Sequence, residues 1–136
     1  MKDYSHVPLS QKLGIKPGTT VVLDGAPDGV ESWLEPLPDG ARVSRRAAKD
    51  ADVIVCFATR AADLARAVAR FTPKLAMAGG LWLCYPKRTS GIATDATFDV
   101  VQRLGLDAAL VDNKSISVSP EWSGMRFVRR LRDRSR

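Results

Sequence analysis

Three short apolar runs set the strongest limit on how this chain folds: Val21-Val22-Leu23, Val53-Ile54-Val55-Cys56-Phe57 and Leu81-Trp82-Leu83-Cys84-Tyr85. Each is too short for a buried helix, is bounded by Gly, Pro or Asp, and is continuous rather than alternating. That pattern suits strands buried on both faces, as in a parallel sheet. Between the second and third runs lies Arg60 to Phe71. There Ala61, Leu64, Ala65, Val68 and Phe71 recur at three and four residues, while Asp63, Arg66 and Arg70 fall off that stripe, which predicts an amphipathic helix. Strand, helix and strand in succession imply a right-handed crossover between parallel strands.

The rest of the chain extends this scheme. Pro8 to Leu13 reads as one helical turn, Val30 to Leu34 as a short helix anchored by Trp33 and Leu34, and Ala41 to Ser44 as a short strand near a sheet edge. Gly79-Gly80 reads as a turn. Asp95 to Leu104 is predicted helical, with Thr94 as N-cap, Gly105 as stop, and Phe98, Val101 and Leu104 facing inward. Ala108 to Val111 is an apolar strand that continues as Ser115 to Val118 past a kink at Asp112-Asn113-Lys114, where Asn113 is expected to be left-handed. Trp122-Ser123-Gly124 reads as a hairpin loop with Trp122 over the core, and Met125 to Arg130 as a last strand, antiparallel to what precedes it. The expected fold class is α/β: a mostly parallel twisted sheet with flanking helices and an antiparallel C-terminal edge strand. One domain is expected over residues 1–131, followed by a basic tail, 132–136.

A chain of 136 residues hides roughly 65–70% of its unfolded surface, enough to fold without a metal or disulfide. Cys56 and Cys84 sit inside apolar runs and are expected to be buried, reduced thiols. One histidine, His6, and two separated cysteines cannot furnish a structural zinc site. No run of 18 apolar residues is present, so no membrane contact is expected. The polar stretch Met1 to Leu13 lacks a secretory signal, which places the protein in the cytoplasm as an expectation. The net charge of +6 is concentrated at the C-terminal end, in Arg126, Arg129, Arg130, Arg132, Arg134 and Arg136. Such an end is either a solvated tail or a nucleic-acid contact, and Trp122 beside Arg126 could stack on a base.

The run from Asp52 to Phe57, a helix, and then Ala78-Gly79-Gly80-Leu81-Trp82-Leu83 resemble the second half of a class I methyltransferase fold of Rossmann type, and Val22-Leu23-Asp24-Gly25 resembles its first strand and turn. Over nearly its whole length the chain also resembles a family of bacterial proteins catalogued only as a domain of unknown function. That likeness is carried by Leu13-Gly14-Ile15-Lys16-Pro17-Gly18, Pro86-Lys87-Arg88-Thr89-Ser90-Gly91, Val111-Asp112-Asn113-Lys114 and Trp122 to Val128. The methyltransferase resemblance implies a glycine-rich turn where backbone meets the methionine part of S-adenosylmethionine, and an acid ending the second strand to receive the ribose hydroxyls. Here the turn is Gly25-Ala26-Pro27-Asp28-Gly29, with Pro27 lacking an amide donor. The second strand ends in Ser44-Arg45-Arg46, of opposite charge, and the chain is one strand–helix unit short.

In a parallel sheet, ligands bind beyond the C-terminal ends of the strands. This nominates Asp24, Gly25, Asp28 and Gly29, whose turn amides and following helix could hold an anion or nucleotide; the competing reading is a tight turn with Asp28 capping the helix. It also nominates Lys87, Arg88, Ser90 and Gly91, two cations, a hydroxyl and a glycine beside a helix start, suited to phosphate or carboxylate. Without a histidine nearby, a general base would have to be Asp24, Asp95 or Asp112. The sequence leans to a non-catalytic Rossmann-like binding or regulatory module for a small anionic ligand. Its alternatives are an S-adenosylmethionine-dependent methyltransferase with a degenerate motif, and a nucleic-acid-associated protein using the arginine-rich end.

Overall fold

The computed structural model describes residues 7–134. His6 and Arg136 lie outside the described residues. In chain order the elements are α1 (Leu9–Lys12), β1 (Thr20–Asp24), α2 (Val30–Trp33), β2 (Arg42–Ser44), β3 (Ala51–Phe57), α3 (Ala61–Phe71), β4 (Leu75–Pro86), α4 (Phe98–Asp107), β5 (Leu110–Ser117) and β6 (Trp122–Arg129). The six strands form one sheet in the order β2-β1-β3-β4-β6-β5. β2, β1, β3 and β4 are parallel, and β6 runs antiparallel to both its neighbours. This is the expected mixed α/β sheet. The closing hairpin does form one edge, but the last strand lies inside it and β5 is outermost.

The continuous apolar runs are explained by burial on both faces. On one face, Leu64, Val68 and Phe71 of α3 and Val101 of α4 pack on Val22, Ile54, Leu81, Leu83 and Phe127. On the other, Leu13, Ile15, Val30 and Leu34 cover Val21, Leu23, Val55 and Trp82. That second cover has little regular structure, and the buried Trp82 indole fixes it by donating to the Leu13 carbonyl at 3.1 Å. Cys56 and Cys84 are free and buried, on opposite faces of the sheet, so they cannot pair. Burial raises both thiol pKa values well above their ordinary value.

Four local expectations are corrected. Gly79-Gly80 is no turn; it lies inside β4, which begins at Leu75. Ala51 pairs with Leu75 and Val53 with Gly80, so residues 76–79 bulge out of the ladder. Such a bulge adds residues without ending the strand. Asp95 does not begin α4; Thr97 caps it, its hydroxyl accepting from Val100 N. The helix runs through Gly105, and the left-handed residue after its end is Ala109, with φ 65°. Phe98 is 47% exposed, whereas Val101 faces inward as expected, Leu104 packs half-buried against the same core, and Gly105 is a further buried position. The kink at Asp112-Asn113-Lys114 is a β-bulge, and Asn113 is not among the residues with positive φ. Trp122 is a buried strand residue, edge-on to Phe57 at 5.2 Å. No helix among the described residues is long and apolar enough to cross a membrane.

Gly105 reads as a stop signal but is a packing site: a Cβ there would collide with the Phe127 ring. Alanine gains about 1 kcal/mol of helix propensity over glycine, against an overpacking cost of about 1–3 kcal/mol. Because the added Cβ would overlap three atoms of the ring, the cost falls at the upper end of that range, and Gly105→Ala is expected to destabilise the fold by about 2 kcal/mol in urea unfolding. Unchanged or raised stability would contradict this packing.

Candidate functional site

Because β1, β3 and β4 are parallel, the loops after Asp24, Phe57 and Pro86 gather on one rim. β3 lies between β1 and β4, so the first and last of these loops stand about 10 Å apart, two strand spacings. At Gly25, φ is 63° and a Cβ would lie 2.6 Å from the Phe57 carbonyl oxygen, which is why the turn can press against the end of β3. Asp24 is half-buried at the end of β1, with Oδ1 3.7 Å from Arg70 Nη1.

The turn Gly25 to Gly29 is braced from the end of β2. Arg45 donates to the carbonyls of Ala26 (2.8 Å) and Pro27 (3.0 Å) and, through Nε and Nη2, to both oxygens of Glu31 (2.7 and 3.1 Å). Such a bidentate fork is the arrangement a guanidinium makes best. The hydrogen bonds from Arg45 pull the Glu31 carboxyl down to about 2. Asp28 does not cap α2; Gly29 holds that place without a side-chain bond, and α2 is a single turn. The following helix is thus too short to act on an anion. What the turn offers instead is exposed backbone at Asp28 and Gly29.

The second nominated group splits by role. Lys87 donates Nζ to Ser117 Oγ at 2.6 Å, and Ser90 Oγ accepts from Ile92 N at 3.1 Å. Gly91 is left-handed and closes a 3-10 turn over Arg88–Ser90. Arg88 remains exposed and lines a cavity of about 640 Å³ with Tyr85, Ile92, Thr94, Thr97 and Phe98. None of Asp24, Gly25, Asp28 or Gly29 lines that cavity. The two nominated clusters therefore share a rim but not a pocket.

Thr94 and Asp95 have roles the sequence reading missed. Thr94 Oγ1 donates to the Thr59 carbonyl at 2.6 Å, and Asp95 Oδ1 accepts from Ala61 N at 2.7 Å. Asp95 thus caps α3, not its own helix, and ties the loop after β4 to the loop after β3. A long-range cap leaves no local sequence pattern. Asp112 accepts from the Gln102 side chain at 3.1 Å. Of the three carboxylates considered as bases, Asp24 alone has no hydrogen-bond donor on its side chain among the described residues.

Part of the arginine-rich end belongs to the sheet, while Arg132 beyond it is exposed. Arg126 and Arg129 belong to β6, and Arg129 donates to the carbonyls of Thr72, Leu75 and Ala76 at 2.7–3.0 Å, bracing the β4 bulge. Arg134 Nε donates back to the Arg129 carbonyl at 2.8 Å. No group of three His, Cys, Asp or Glu side chains that could hold a metal comes together among the described residues.

No family model matches the chain, and no curated protein sequence does. Solved structures do match. A SAM-dependent methyltransferase from Aquifex aeolicus superposes with a TM-score of 0.62 at 13% identity, over 86% of this chain and 85% of its own. The fibrillarin pre-rRNA processing protein of Methanococcus jannaschii gives 0.63 at 12%, over 84% and 67%. The fibrillarin of Aeropyrum pernix, in complex with natively bound S-adenosyl-L-methionine, gives 0.62 at 12%, over 88% and 73%. At these identities the likeness is one of fold, and the fold is methyltransferase-like. It corrects the expectation of a non-catalytic module: many of the solved structures that share this architecture are SAM-dependent methyltransferases.

The rim fits an adenosyl cofactor in part. Gly25 opens the turn after β1, and backbone at Asp28 and Gly29 faces solvent. The expected ribose acid is replaced by Arg45, whose fork engages Glu31. The Arg45–Glu31 pair is testable by NMR titration. Glu31 should titrate near 2, and Arg45→Met should raise it toward its ordinary value of 4.5, with the remaining backbone hydrogen bond holding it somewhat below. The lowered carboxyl pKa adds stability above about pH 4.5 that is lost as pH falls toward 2, and exposure keeps the effect small. An unshifted Glu31 in the wild type would contradict the brace.

Proposed function

We propose that the chain is an S-adenosylmethionine-dependent methyltransferase whose cofactor turn departs from the usual pattern. Cofactor and methyl acceptor lie side by side along the rim formed by the loops after β1, β3 and β4. The observation that carries the reading is the strand order β2-β1-β3-β4-β6-β5, with one antiparallel strand, in a fold shared with the Aquifex aeolicus enzyme over most of both chains. The resemblance to the bacterial family of unknown function and a cytoplasmic location belong to the same proposal.

When bound, S-adenosylmethionine supplies an electrophilic methyl group on a sulfonium. The chain's own residues bind and orient. Backbone at Asp28 and Gly29 offers hydrogen bonds from a turn that Arg45 holds rigid, which lowers the ordering cost of binding. The Asp24 carboxylate, at the end of β1, receives an amine or hydroxyl from the cofactor. The Thr94–Thr59 and Asp95–Ala61 bonds fix the wall between the two binding regions. The cavity between Tyr85 and Phe98 takes the acceptor. Its lining is mostly apolar and includes Arg88 and the Lys87 that is bonded to Ser117, so the acceptor is a small, largely apolar molecule with an acidic group that Arg88 can meet.

Titration calorimetry with S-adenosylmethionine and S-adenosylhomocysteine tests the reading. Both should bind, and Asp24→Ala should weaken binding roughly tenfold, the effect of losing one hydrogen bond to a charged group. No heat and no rise in melting temperature at millimolar cofactor would refute it.

A further inference from the structure

A second cleft lies at the opposite end of the strands, away from the rim proposed for methyl transfer. It occupies about 540 Å³ between the segment Lys12–Thr19 and the sheet, and the β4 bulge forms its floor. Four cations line it, Lys12, Lys16, Lys114 and Arg126, against one carboxylate, Asp52. Asp52 spends Oδ2 on the Thr20 amide at 3.0 Å. Lys114 and Arg126 are direct cross-strand partners on one face of the β5–β6 pair, a placement in which like charges repel.

Arg126 is half-buried, and among the described residues its guanidinium has no hydrogen-bond or carboxylate partner. It lies over Gly80, where a Cβ would come within 2.8 Å of its Cζ. The glycine therefore makes the room in which the arginine sits. Burial, and then the charge of Arg134, lower the pKa of Arg126. A partly dehydrated arginine facing a lysine, with no carboxylate within ion-pair distance among the described residues and only Asp52 elsewhere in the cleft, is costly unless something else answers it.

We propose that this cleft is a binding site for a compact, multiply charged anion of the phosphoryl class, with Arg126 as its central contact and Lys16 and Lys114 flanking it. The volume is that of a small-molecule site, and arginine engages phosphate oxygens in pairs. No aromatic residue lines the cleft, which favours a phosphorylated sugar or an oligophosphate over a ligand held by base stacking. The site does not rest on the methyltransferase reading, because it shares no residue with the opposite rim.

Calorimetry with pyrophosphate, using inorganic phosphate as the weaker comparison, tests the site at fixed ionic strength. Pyrophosphate should bind more tightly than phosphate. Arg126→Met should weaken it roughly 10- to 100-fold, and Lys16→Ala, at an exposed position that cannot disturb the core, by a few-fold. Pyrophosphate should also bind equally with and without S-adenosylmethionine, which separates this site from the other rim. No pyrophosphate binding would overturn the proposal, as would binding that both variants leave unchanged. Single-stranded RNA bound more tightly than pyrophosphate, and lost in Arg126→Met, would overturn the small-ligand assignment.

Discussion

Strands that carry apolar side chains on both faces stay folded only while both faces are dry. β1, β3 and β4 are such strands, and their two covers are unequal. One is a pair of helices, α3 and α4, packed on Ile54, Leu81 and Phe127. The other is the irregular segment around Leu13 and Ile15 together with the single turn α2. This segment closes its own turns by hydrogen bonds but shares no ladder with the sheet, and the Trp82 indole ties it there at the Leu13 carbonyl. Both candidate sites depend on this cover. The turn after β1 leads into α2 at one end of the strands, and the cationic cleft opens beneath residues 12–19 at the other.

The parallel block was legible because its signal is local. Continuous β-branched runs, separated by an amphipathic helix, leave few alternatives. Two of the misreadings share one cause: glycine reads as punctuation where it marks close approach. Gly79 and Gly80 do not end a strand; they admit a bulge and the Arg126 guanidinium. Gly105 does not end a helix; it admits the Phe127 ring. A glycine's sequence context does not distinguish these roles, because the nearest atom that would collide belongs to a residue 22 or more positions away.

Topology alone puts the loops after β1, β3 and β4 at one end of the sheet, and that much is legible in the sequence. Its chemistry was only partly visible. Lys87 and Ser90 looked like ligand groups and are used internally, whereas Thr94 and Asp95 looked like parts of a helix start and bridge two loops. Arg45 has the wrong charge for a ribose contact, and the structure gives it a different task, as the brace of the turn after β1. The cationic cleft was illegible from sequence because Lys12, Lys114 and Arg126 meet only through the sheet.

The central claim is that the end of the strands carrying Gly25, Thr59 and Thr94 binds the adenosyl cofactor. Backbone amide shifts recorded while S-adenosylmethionine is added test it most directly. Movement confined to residues 24–29, 58–61 and 92–97 is the result this account predicts. Shifts centred instead on residues 12–19 and 76–80, at the far end of the same strands, would contradict it.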